Sequence, residues 1–454
     1  MNALSPARHF SESSDLHAIE HGPLTRLHAL IAVLCAFGFA IDLMEITLGN
    51  ALSVIFSAAP YRLHGAALSW LLSSVYIGAI LGAPTVGWVA DRIGPKRSLG
   101  LTLLWLAVTS SAAGISPTPS LLTVSRLCSG LALGAYPPLM IAYLTDIAPI
   151  RRRGRLIFMV CAIGYLAPPA ALMAVRWLGP VGPWGIEGWR WPYYVGGFCC
   201  LAGWAGFIML PEAPHWLTST GRSASAVTNR FLRFADGQIP NERSKFEQTI
   251  PDPTPAADSG RWRDIPRSRW GLAATIYFLT PWLTVAFPLV AGPILLARHV
   301  SLSDTLYYVA AATFGPVLGT CASALLADRL TFRTIMIACA ALMTGAILVF
   351  FASHNLNLSA GAMILMALGS AAFLPSMTTF GSDLFAAQLR GKATTSLWVA
   401  NRMGAILSPL AFLPLVERHL FGAALGLFCV IGLGLLFVLV FVSPRVVANE
   451  AAGR

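Results

Sequence analysis

Gly87-Trp-Val-Ala-Asp91-Arg92-Ile-Gly94-Pro-Lys96-Arg97 lies between two apolar runs, and its charges return 237 residues later as Asp328, Arg329 and Arg333. A second loop repeats at the same distance. Asp146, Arg153 and Gly154 recur as Asp383, Arg390 and Gly391. One such match is within reach of chance. Two loop motifs at a single offset imply a duplicated unit.

The surrounding sequence says what kind of unit it is. A bilayer-spanning helix needs about 20 mostly apolar residues. The chain offers twelve such runs: 27–57, 67–90, 97–115, 119–145, 155–177 and 190–210, then 271–297, 304–327, 333–352, 359–380, 393–414 and 420–443. Hydrophobic residues make up 56% of the 454 and charged residues only 11%, against roughly 25% charged in ordinary soluble domains. The mean hydropathy is +0.68. Disorder, a disulfide scaffold and a nucleic-acid-binding domain are excluded as global readings. The fold class is therefore an all-α membrane protein of twelve transmembrane helices in two pseudo-symmetric six-helix bundles. Its expected parts are an N-terminal tail (1–26), a first bundle (27–210), a central loop (211–269), a second bundle (270–443) and a short tail (444–454).

The net charge of +11 comes from clusters between the runs. Arg92, Lys96 and Arg97, then Arg151 to Arg153 and Arg155, Arg329 and Arg333, and Arg390 and Lys392 all fall on one side. The opposite loops carry only Arg62, Arg176, Arg190, Arg298 and Arg418. By the positive-inside rule the first set faces the cytoplasm of a cell's inner or plasma membrane, with both termini inside. Residues 1–23 lack the apolar stretch of a signal peptide. The eight cysteines lie in apolar runs without metal-ligand spacing, and read as small buried hydrophobes. The absence of a Walker loop argues against ATP-driven transport, and no hydrolase motif suggests an enzyme. No cofactor and no metal is expected.

Four charges fall deep inside apolar runs: Asp42, Glu45, Arg126 and Arg402. A charge at mid-bilayer costs at least about 2.5–3.5 kcal/mol on insertion scales, so such groups face a cavity or one another. Asp42 and Glu45 stand three residues apart on one helix face. Two carboxylates so placed repel, and a proton on one relieves the repulsion, which is the chemistry of proton coupling. Arg126 is their expected counter-ion. The plainer alternative is a static ion pair that only orients helices. Arg402 suits a substrate carboxylate through its paired N–H donors; alternatively it pairs with backbone carbonyls or the acids at 42 and 45 as a gate. Asn401, Trp398, Tyr277, Trp282, Tyr165, Tyr307 and Phe373 are candidate walls of an aromatic pocket. Each alone is more commonly a packing residue.

The motifs resemble the major facilitator superfamily from about residue 25 to 443. The loop 87–97 looks like the family signature between helices 2 and 3, and Arg126-Leu-Cys-Ser-Gly130-Leu-Ala-Leu-Gly134 is similar to its helix-4 motif. Asp146-x6-Arg153-Gly154, Pro211-Glu212-Ala-Pro214-His215-Trp216 and Asp383-x6-Arg390-Gly391 resemble the branch of sugar porters, organic-ion transporters, aromatic-acid/proton symporters and synaptic-vesicle-protein relatives. Asp146 and Asp383 replace that branch's usual Glu, His215 replaces a frequent Arg, and Thr331 replaces a Gly of the repeated signature. The Asp42/Glu45 pair resembles the helix-1 acids of the aromatic-acid symporters, with Leu43 at a Gly position.

The resemblance implies a secondary transporter working by alternating access. It also implies a salt-bridge lattice at one end of the bundles, built from Asp91, Arg92, Arg97, Asp146, Arg153, Asp383 and Arg390. The resulting expectation is a monomeric proton symporter importing a small organic acid, an aromatic or other monocarboxylate. Its partners are protons, the substrate and the bilayer, and not nucleic acid. Rival readings are an organic cation or neutral metabolite as cargo, or a binding relative that does not transport.

Overall fold

The computed structural model describes residues 24–179, 182–220, 265–326, 330–385 and 387–443, together with Arg222, Val227 and Phe231. Twelve spanning helices follow one another: α1 (Arg26–Ser57), α2 (Ala66–Ile93), α3 (Pro95–Ile115), α4 (Pro119–Ile147), α5 (Arg153–Leu178), α6 (Trp191–Ile208), α7 (Arg267–Ala297), α8 (Leu302–Ala312 and Gly315–Leu326), α9 (Phe332–Ala352), α10 (Leu356–Asp383), α11 (Ala387–Glu417) and α12 (Phe421–Phe437). Each occupies one of the twelve apolar runs. A short helix, Pro214–Ser219, follows α6 and packs on α4. Most of the central loop, both tails, and Asp328 and Arg329 of the repeated signature lie outside the described residues.

Four runs that read as continuous are broken. α4 turns at Gly134–Ala135 before Pro137 and Pro138, and α5 at Tyr165–Leu166 before Pro168 and Pro169. α7 is interrupted at Val285, just before Pro288, and α8 at Thr313–Phe314 before Pro316. Proline lacks the backbone donor and its ring collides with a carbonyl one turn earlier. Apolarity persists across each break, so hydropathy alone reads straight through it.

Helix packing within each half rests on small residues. A Cβ on Gly78 of α2 would stand 2.0 Å from the Leu127 carbonyl oxygen of α4, and one on Gly130 of α4 would stand 2.2 Å from the Val75 carbonyl oxygen. In the second half, a Cβ on Gly315 of α8 would stand 2.5 Å from the Ile364 oxygen of α10, and one on Gly319 would stand 2.3 Å from the Leu368 oxygen. Gly78 and Gly82 map onto Gly315 and Gly319 at the same 237-residue offset as the loop motifs. Lipid tails are as apolar as leucine, so close backbone approach, rather than apolar burial, holds such pairs together.

The outward faces are apolar. Phe198 is 74% exposed and Val430 69%, as surfaces that meet lipid must be. Among the cysteines, Cys35, Cys200 and Cys339 are buried and four others half-buried. Cys321 departs from the expectation of burial and lies on the surface of α8.

Candidate functional site

The acids of α1 sit where the two halves meet. Asp42 is buried, and among the described residues neither of its carboxylate oxygens has a hydrogen-bond partner. The charges acting on it come from Arg402 of α11 and from Glu45. Tyr76 of α2 lies within the field of Arg402, and Tyr136 of α4 and Tyr165 of α5 lie within that of Asp42. A buried carboxylate in the first half thus lies within the field of a guanidinium of the second.

Glu45 is held differently. It accepts a hydrogen bond from the Ser110 hydroxyl of α3, whose oxygen also stands 2.9 Å from the Tyr193 carbonyl of α6. Arg126 donates from Nη1 to the Tyr193 hydroxyl at 2.7 Å and to the main-chain oxygen of Glu45 at 3.4 Å. Its charge acts on the Glu45 carboxylate, while Nε and Nη2 are buried without partners among the described residues. Among the described residues the expected ion pair does not join Arg126 to the α1 acids within 4.0 Å; the Arg126 charge acts on Glu45 through the field, and Tyr193 takes the direct bond. Ser110 and Tyr193 carry no charge, so nothing in the sequence marked them.

On the other side, Arg402 lies over the Trp398 ring at 5.7 Å, and Trp398 meets Tyr277 edge-on at 5.8 Å. Asn401 donates from Nδ2 to the Tyr277 carbonyl at 3.1 Å. Arg402, Asn401, Trp398 and Tyr277 therefore form one cluster between α7 and α11. Trp282 packs between Phe278 and Phe412, with a buried indole N–H that has no partner among the described residues. Phe373 is wholly enclosed, and Tyr307 lies under Arg176 near one end of the molecule. Neither joins the cluster.

A cavity of about 140 Å³ separates the halves beside α1. Thr47, Asn50 and Tyr165 line it from the first half, and Thr284, Phe287, Met366 and Ser370 from the second. Its walls carry hydroxyls and one amide but no charge. Of the predicted aromatic walls, Tyr165 is the one that lines it.

The ends of the bundle differ. At the end bearing the charged loops, Asp146, Glu212 and Trp216 are bonded to neighbours in the first half. Asp146 accepts from the backbone N–H groups of His215 (3.2 Å) and Trp216 (3.4 Å) at the start of the short helix, with His215 Nε2 3.7 Å away. Arg153 adds its charge to Asp146. Trp216 donates to the Asp91 carbonyl at 3.2 Å, and Arg92 lies 3.6 Å over Trp88. Glu212 accepts from the backbone of Lys96 at 2.8 Å and so caps α3. Burial pushes its carboxyl above the ordinary value, although these N–H groups pull the other way. Arg97 and Asp383 are exposed, and the side chain of Arg390 lies outside the described residues. At the far end the halves touch: Val54 of α1 fills the space beside Gly292 of α7.

The family model described as Major Facilitator Superfamily matches residues 29–409. The chain belongs to this superfamily. It is 24% identical over 369 residues to the putative metabolite transport protein YaaU of Escherichia coli, covering 77% of this chain and 79% of that one. It is 27% identical over 219 residues to the arabinose-proton symporter of Bacillus subtilis, spanning about half of each: 45% of this chain and 46% of the symporter. The xylose transporter XylE of Escherichia coli, solved in a partially occluded inward-open conformation, superposes with a TM-score of 0.72 at 14% identity, over 92% of this chain and 98% of XylE. The twelve-helix fold is that of transporters and not of enzymes.

Proposed function

We propose that the protein is a proton-coupled symporter that imports a small organic acid by alternating access. The observation that carries this reading is Asp42: a buried carboxylate without a hydrogen-bond partner among the described residues, set in one half and within the field of Arg402 of the other. Protonation of Asp42 releases Arg402, and Arg402 is then free to take a substrate carboxylate in a bidentate grip. Trp398 supplies an aromatic face beside it, with Tyr277 edge-on behind, which suits an aromatic or other monocarboxylate. Glu45 and Arg126, tied to Ser110 and Tyr193, hold α1 in its own bundle. Midplane binding between repeats is how such folds move cargo. The end with the charged loops is cytoplasmic, the far end is outward, and Asp91, Asp146, Arg153, Asp383 and Arg390 act in opening the inner end. The working unit is one chain in a cell membrane.

A second reading has its own support. Relatives are named for arabinose, galactose and xylose, and the hydroxyl- and amide-lined cavity beside α1 suits a neutral polyol. Proteoliposomes loaded with a pH-sensitive dye separate the two. Addition of carboxylates without an imposed gradient is expected to acidify the lumen, and sugars are not. Acidification by pentoses or hexoses with silence for carboxylates would overturn the acid assignment. Silence for both would remove proton coupling.

A further inference from the structure

Among the described residues, two polar contacts at the far end each join the last turn of one helix to the first turn of a helix in the other half. Glu417, the last residue of α11, accepts from the backbone N–H of Gly65, which caps α2, at 2.7 Å and 2.6 Å to its two carboxylate oxygens. Arg176, in the last turn of α5, donates from Nε to the carbonyl of Ser303 in the first turn of α8 at 3.1 Å, and its guanidinium covers the Tyr307 ring at 5.2 Å.

The two contacts are related by the duplication. α5 corresponds to α11 and α2 to α8, and Gly65 maps onto position 302 at the 237-residue offset. Their polarity is opposite. A carboxylate meets a helix N-terminus, where backbone donors and the helix dipole favour negative charge. A guanidinium meets a carbonyl. Gly65 has φ +61°, a backbone conformation that glycine adopts readily and L side chains rarely do.

We infer that Glu417–Gly65 and Arg176–Ser303 are a pair of detachable clamps that hold the far end shut, and that their strength sets the population of the state open at that end. Both must break when the halves part there, because each spans them. Both side chains are partly accessible, so each clamp is weak enough to release. The inference concerns only the motion between halves. It stands whether the cargo is an acid or a sugar, and whether or not protons are coupled.

The test is a distance measurement on the full chain in lipid nanodiscs. Nitroxide labels carried by non-natural amino acids at Ser120 and His354, exposed on opposite halves at that end, report their separation by pulsed electron resonance. Wild type is expected to show mainly the short separation. Glu417→Ala and Arg176→Ala are each expected to raise the long-separation population about tenfold, the effect of one charge-assisted hydrogen bond. Glu417→Gln keeps the shape and is expected to fall between; it also decides the matter if Glu417→Ala fails to fold. Unchanged distributions in the Glu417 and Arg176 variants would overturn the inference. A shift for one site alone would overturn the pairing.

Discussion

Replacing Asp42 by Asn keeps the volume of the side chain and removes its ionisable group. Of the two acids on α1, Glu45 has Ser110 as a donor and Arg126 within its field, whereas Asp42 has no hydrogen-bond partner among the described residues. If one group carries the coupling proton, it is Asp42, and one proton moves per cycle. Co-transport of one proton with one monoanion is electroneutral, so its driving force is the pH difference alone. Each pH unit is worth about 1.4 kcal/mol, or about a tenfold accumulation. A plot of log accumulation against imposed pH difference in proteoliposomes is therefore expected to have a slope near one. In Asp42→Asn the slope is expected to fall to zero, while exchange of labelled for unlabelled substrate at equal pH continues. A slope that stays near one in the variant would refute the role of Asp42. A wild-type slope near two would refute the argument that Glu45 is set aside by Ser110.

Arg402→Ala is expected to raise the half-saturation concentration for carboxylates about tenfold or more, with Arg402→Lys recovering only part, because lysine offers a point charge and no fork; equal affinity for acids in wild type and Arg402→Ala would end the carboxylate assignment. Gly78→Ala forces a methyl against the Leu127 carbonyl, and overpacking of this kind costs about 1–3 kcal/mol. A lower unfolding temperature in detergent checks it, with Gly345→Ala, where nothing lies within 4 Å, as the neutral control. Glu212 gives a pH-dependent prediction. Burial raises its carboxyl above the ordinary 4.5, so its contribution to stability is complete below that value and is lost as pH rises through the raised one. The unfolding temperature of wild type minus that of Glu212→Gln is expected to fall with rising pH over that window; a flat difference would contradict it.

The duplication was legible because loop charges are few and stand out at a fixed offset. The glycines that repeat at the same offset, Gly78 and Gly82 onto Gly315 and Gly319, carry the same information but hide among forty glycines. The charged members of the site were legible for the same reason as the loops: a charge in an apolar run must have a purpose. Their partners were not. Ser110, Tyr193 and Gly65 are ordinary residue types whose meaning comes from a helix distant in sequence, and Glu417 sits at a helix end, where a charge is unremarkable. Aromatic side chains failed as a signal in the opposite way. With 24 Phe, 13 Trp and 10 Tyr in the chain, proximity to the site cannot be read from type. Tyr165 thus reaches the cavity, while Phe373 is core and Tyr307 belongs to the far-end contact with Arg176.

The three-residue spacing of Asp42 and Glu45 matters more for direction than for repulsion. One acid is fastened inside its own bundle, through Ser110 of α3 with Tyr193 of α6. The other lies within the field of Arg402, which belongs to the second bundle. A proton on Glu45 would alter packing within the first half and leave the attraction between halves in place. A proton on Asp42 removes an attraction between the halves and leaves the first bundle intact. Alternating access moves the bundles against one another as units, so only the second placement converts a protonation into that motion. On the proposed function, this division of labour on one helix face makes Asp42 the coupling residue and gives Glu45, with Arg126, the task of keeping α1 part of the bundle that moves.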